Sequence, residues 1–97
     1  MKSQIVKFVA AAYLAGVNLM VRLKDLEAGE QACILFTTSV PGQVLDRLMV
    51  YGIIPGNYVR LHQKKPAYII QVDETFLALE SNLCEGIFVK KQPNVND

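Results

Sequence analysis

Tryptophan is absent, histidine occurs once and cysteine twice, and only four prolines and six glycines are spread over 97 residues. So few breakers, with 52% hydrophobic and 20% charged residues, exclude a disordered or collagen-like chain and point to one small globular domain. The charge excess is equally small, a formal +1, which argues against the broad basic face that phosphate-backbone binding requires. Cys33 and Cys84 stand far apart beside the lone His62, so no paired zinc-ligand spacing exists, and one possible bridge is no disulfide scaffold. The expectation is reduced, buried thiols and neither a metal site nor a cofactor. The longest apolar stretch, Phe8 to Val21, runs for fourteen residues and includes Gly16 and Asn18, too short for a spanning helix. A cytoplasmic protein with no membrane span is expected.

What is present divides at about residue 20. Residues 1–19 read as an amphipathic helical extension, with Ser3 as N-cap, Ile5, Phe8, Val9, Ala12 and Tyr13 at helical spacing, and Gly16 at its end. Lys2 and Lys7 before this apolar stretch also resemble the start of a signal peptide. Beyond it, residues 20–91 show short apolar runs separated by turn residues, and 92–97 form a polar tail expected to fray.

Five strands are expected. Glu30 to Thr37 should place Ala32, Ile34 and Phe36 on one face and Cys33 and Leu35 on the other. Tyr58 to Lys64 alternates, with Val59 and Leu61 inward and Tyr58, Arg60, His62 and Lys64 outward. Ala67 to Val72 and Thr75 to Glu80 flank a tight Asp73-Glu74 hairpin, and Ile87 to Lys90 is the last strand. Pro41-Gly42 and Gly52 bound a helix from Gln43 to Tyr51, whose Val44, Leu45, Leu48 and Met49 should pack inward. Ile54-Pro55-Gly56-Asn57 fits a type II turn with Gly56 at positive φ. Strands this short hide their edges most economically by closing, so the predicted fold is mainly β: a small SH3-like β-barrel with one inserted short helix, preceded by the extra N-terminal helix.

Catalytic constellations are missing. His62 lies between Arg60 and Lys64 without a carboxylate on its strand, and the pairs Asp73/Glu74 and Glu80/Glu85 define no fixed carboxylate separation. No phosphate-binding glycine loop and no Gly-x-Ser-x-Gly elbow occurs. Lys64, Lys65, Lys90 and Lys91 with Tyr58 and Tyr68 could imitate a single-strand-binding face, but lysines on a near-neutral barrel also serve to guard edges. A protein without enzymatic activity is expected.

Leu26-Glu27-Ala28-Gly29-Glu30-Gln31-Ala32-Cys33-Ile34, Arg47-Leu48 followed by Gly52-Ile53-Ile54-Pro55-Gly56, Leu77-Ala78-Leu79 and Gly86-Ile87-Phe88-Val89 together resemble the ferrous-iron transport protein A family (FeoA), over about Val21 to Lys91. The resemblance implies a cytosolic SH3-like accessory domain that works with a membrane ferrous-iron transporter carrying a cytosolic GTPase domain. It also implies a likeness to the C-terminal domain of iron- or manganese-dependent repressors, which leaves a metal-responsive regulatory barrel as an alternative, beside a small nucleic-acid-binding barrel. No iron ligand is transferred. The partner contact is expected on the outward side of the inserted helix, at Asp46, Arg47, Val50 and Tyr51, and self-association through residues 1–19.

Overall fold

A computed structural model describes residues 19–92, so the N-terminal helix expected before Leu19 and the tail from residue 93 lie outside the described residues. Six strands form one antiparallel sheet: β1 (Met20–Arg22), β2 (Gln31–Thr37), β3 (Tyr58–Gln63), β4 (Tyr68–Val72), β5 (Thr75–Leu79) and β6 (Ile87–Lys91). Their order is β1-β6-β2-β3-β4-β5, which leaves β1 and β5 at the two ends. A 3-10 turn (Leu23–Asp25) follows β1, α1 (Gly42–Val50) joins β2 to β3, and α2 (Ser81–Glu85) joins β5 to β6.

The period-two pattern of β3 holds, because Val59 and Leu61 are buried while Tyr58, Arg60 and His62 are exposed. They meet Ile34 of β2, Ile70 and Val72 of β4, and Ile87 and Val89 of β6 in one apolar core, which the 3-10 turn caps with Leu23 and the following loop with Leu26. Two irregularities bend the sheet around this core. The β2–β6 register shifts between Ile34 and Phe36, and the β3–β4 register between Leu61 and Gln63. Extra residues at such bulges break alternation and sharpen the twist. The first bulge corrects the expected facing of β2: Leu35 is buried, whereas Phe36 is only half-buried and stacks on Phe88 with ring centroids 4.9 Å apart. The Arg22 guanidinium sits 5.3 Å from the Phe88 ring centre.

Three further expectations are corrected. Among the described residues the strands number six, since Met20–Arg22 pairs with β6. A second short helix, α2, buries Cys84. Met49 is 48% exposed instead of packed inward, because α1 turns Val44 and Leu48 toward the core and rolls Met49 outward.

The turn after α1 is as expected. Asn57 N–H donates to the Ile54 carbonyl at 3.1 Å, and Gly56 has φ +98°. Gly56 N–H also donates to Ile34 O at 2.8 Å, tying the turn to β2. Gly56→Val should therefore lower stability by about 1 to 3 kcal/mol, since a β-branched residue resists positive φ. An unchanged thermal midpoint would contradict this.

Glu30 closes the start of β2. Its Oε1 accepts from Glu27 N–H at 2.7 Å and its Oε2 lies 3.3 Å from Lys91 Nζ. The Glu27 backbone hydrogen bond first, and Lys91 and Lys64 after it, hold this carboxyl below the usual value of 4.5 against an opposing effect of partial burial. A lowered folded pKa gives a stabilisation that is complete above the unfolded value and lost as pH falls through the folded one. Glu30→Gln should flatten the stability profile on the acid side of pH 4.5 and leave the neutral-to-basic slope unchanged, as measured by urea unfolding across pH.

Candidate functional site

The candidate surface starts from α1. Pro41 precedes it with φ −56°, and its carbonyl accepts from Leu45 N–H at 2.8 Å, so the proline starts the helix without having to donate. Gly52, with φ +100°, ends the run: its N–H donates to Met49 O and its carbonyl accepts from Asn57 Nδ2 at 2.8 Å. A Cβ on Gly52 would stand 2.9 Å from Val72 Cγ1, so this close approach fixes the end of α1 against β4.

Asp46, Arg47, Val50 and Tyr51 are all exposed, Val50 at 82% and Tyr51 at 44%. With Met49 they give three consecutive exposed apolar residues at the end of α1. The four do not form one uniform face, however. Arg47 and Tyr51 join Val44 and Leu48, at i, i+3, i+4 and i+7 spacing, along a groove of about 450 Å³ whose other wall is β5 and Leu83. Asp46 and Val50 do not line it.

The groove wall was not legible as a site. Phe76 is 58% exposed on β5, yet it reads in sequence as the ordinary outward residue of an alternating strand. The available signal was the uncharged run Thr75 to Leu79, an edge without a guarding lysine.

On the outer face of β3 and β4, Arg60 donates to Gly29 O at 2.8 Å and to Gln31 Oε1 at 2.9 Å. His62 Nε2 lies 2.6 Å from Gln71 Oε1, and Gln71 Nε2 donates to Asp73 O at 2.8 Å. The imidazole thus has an amide partner and lies 5.0 Å from the Phe76 ring. It faces neither a carboxylate nor a nucleophile in these contacts. Both cysteines are free. Cys33 is half-buried and Cys84 fully buried, and burial pushes the Cys84 thiol up to about 12, which suppresses the thiolate at neutral pH. Among the described residues no three His, Cys, Asp or Glu side chains could hold one metal ion, and no helix is long and apolar enough to cross a membrane.

No curated protein matches the chain. Among solved structures, it is similar to the FeoA protein from Chlorobium tepidum at 23% identity and a TM-score of 0.71, covering 78% of this chain and 74% of that one. FeoA from Stenotrophomonas maltophilia, a zinc complex described as a prokaryotic SH3 domain protein, gives 22% identity and a TM-score of 0.64 over 72% of this chain and 89% of that one. T. acidophilum IdeR gives 22% and 0.69 over 75% of this chain, which spans only 34% of that longer protein. The mainly β, SH3-like architecture expected from the sequence is the one these neighbours share. The FeoA domain model matches residues 21–91, from within β1 to the end of β6, and the chain belongs to the FeoA domain family.

Proposed function

We propose that this protein is a non-enzymatic, cytoplasmic accessory module of ferrous-iron uptake that binds the cytosolic GTPase-containing part of a membrane ferrous-iron transporter. The contact is assigned to the outward side of α1, at Asp46, Arg47, Val50 and Tyr51. The observation that carries this reading is the consecutive exposure of Met49, Val50 and Tyr51 beside two opposite charges. Isolated exposed apolar residues are ordinary, but a cluster at one helix end is the composition of a small protein-binding patch. Family membership and the similarity to FeoA proteins support iron transport as its setting.

The test is the triple variant Asp46→Lys, Arg47→Glu, Val50→Glu. Its three side chains are solvated, so stability should change by no more than about 1 kcal/mol, while binding to the transporter's cytosolic domain should weaken clearly. A folded triple variant that co-purifies with that domain as well as the parent, and supports iron uptake equally, would remove this face. The likeness to IdeR supports a second reading, a metal-responsive regulatory barrel. That reading requires a thermal midpoint that rises with added ferrous or manganous ion.

A further inference from the structure

The groove beside α1 has a property that an ordinary surface depression lacks. All five residues of β5, Thr75 through Leu79, line it. Successive strand residues point to opposite faces, so a groove touching all five runs along the edge of the strand and not over one face. Among the described residues β5 is the last strand in the sheet order and pairs only with β4. Val72 and Thr75 close the two-residue turn at Asp73-Glu74, where Asp73 has φ +54°. In such a hairpin the closing pair exchanges hydrogen bonds, and every second pair repeats this. Thr75, Leu77 and Leu79 therefore bond to β4, while Phe76 and Ala78 turn their N–H and C=O groups to the open edge. Neither makes any other backbone hydrogen bond among the described residues.

The opposite wall carries a single charge, Arg47, which forms no ion pair and no side-chain hydrogen bond among the described residues. An unpaired guanidinium over an apolar groove favours a carboxylate. The geometry points to an extended, mainly apolar peptide segment with one acidic side chain as the occupant, added to the sheet as a further strand through Phe76 and Ala78, its carboxylate on Arg47. This mode uses main-chain hydrogen bonds for affinity and side-chain contacts for specificity. The inference deepens the function proposed above and rests on its reading of α1 as the partner-facing element. It adds the partner's conformation and chemistry.

Two probes separate this inference from that reading. One is an end-blocked heptapeptide alternating valine and threonine with a central glutamate, together with its central-lysine counterpart. The other is the transporter's cytosolic domain. The full chain should bind the glutamate peptide in preference to the lysine one, and Arg47→Glu should reverse the order. Ala78→Pro removes one outward N–H without touching the β4 ladder, and should weaken both probes by about fivefold to tenfold, the worth of one hydrogen bond, while Ala78→Thr keeps affinity. On binding, the Phe76 and Ala78 amides should become protected from hydrogen exchange.

A transporter domain that binds the parent and the Ala78→Pro variant alike, with these amides unprotected, would overturn strand addition and leave the proposed function standing. No binding of that domain, with peptide binding intact, would sink the proposed function and keep the groove. Failure of the glutamate peptide to bind, or indifference of its binding to Arg47→Glu, would overturn the assigned chemistry. A concentration-dependent dimer of the parent that Ala78→Pro abolishes would show the edge to be taken by a second copy, and would likewise overturn it.

Discussion

Gly86→Ala is expected to destabilise the fold by about 3 kcal/mol or more, corresponding to a fall of roughly 12–24 °C in thermal midpoint for a domain of this size. The cause is not backbone freedom, since Gly86 has φ −95°, which alanine adopts readily. It is space. A Cβ here would collide with the Thr38 carbonyl oxygen and come within 3.3 Å of Val40 Cγ2. Backbone cannot yield as the tip of a flexible side chain can, and Thr38 N–H donates to Gly86 O at 2.7 Å, so separating the two segments also breaks that bond. The contact joins the segment after β2 to the entry of β6, where Thr37 pairs with Ile87. A variant that melts with the parent would show that these segments can part without cost.

Leu61→Ala is expected to cost about 2 to 5 kcal/mol, against a total stability of roughly 5 to 15 for domains in general. Leu61 is fully buried in the main core cluster, opposite Ile70. Its backbone is engaged as well: its N–H donates to Glu30 O at 3.0 Å and its carbonyl accepts from Gly29 N–H at 2.6 Å. A strand fixed on that side cannot easily collapse into the space the leucine leaves, which favours the upper part of the range. Urea unfolding should show a lower midpoint with the slope unchanged. By contrast Val50→Ala, at a site 82% exposed, should shift the midpoint little.

Features written by neighbouring residues were the ones readable in the sequence. The alternation of Tyr58 to His62 needs only the pleat, and the turn around Gly56 needs only Pro55 and a residue without Cβ. Both stand in the structure. Features that depend on a distant partner were not readable. Whether Leu35 or Phe36 enters the core depends on the bulge, which exists only in register with β6. Met20–Arg22 is three residues long, too short to display a period, and is a strand because β6 lies beside it. α2 has no side-chain cap at Glu80 to announce it. For α1 the helical period marks the helix, whereas its rotation on the core depends on what it packs against. Met49 sits next to Leu45 at the border of the apolar arc on a helical wheel, but Val44 and Leu48 are what meet the core cluster. The candidate site depends on distant partners in the same way. Asp46, Arg47, Val50 and Tyr51 could be recognised as one arc, whereas the groove shared by Arg47 and Tyr51 requires β5, which approaches from the far end of the sheet order.

The pairing of β1 with β6 also has a mechanical meaning. Met20 lies opposite Lys90 and Arg22 opposite Phe88, so the chain enters and leaves the described fold at the same end of one antiparallel pair. Tension applied between the two ends would load the Met20–Lys90 pair first and open the ladder one pair at a time, as a zipper opens. It would not shear three pairs together. Held by both ends, the domain would yield first at β1, and the β3-β4-β5 meander, to which neither end is directly attached, would give way only after it.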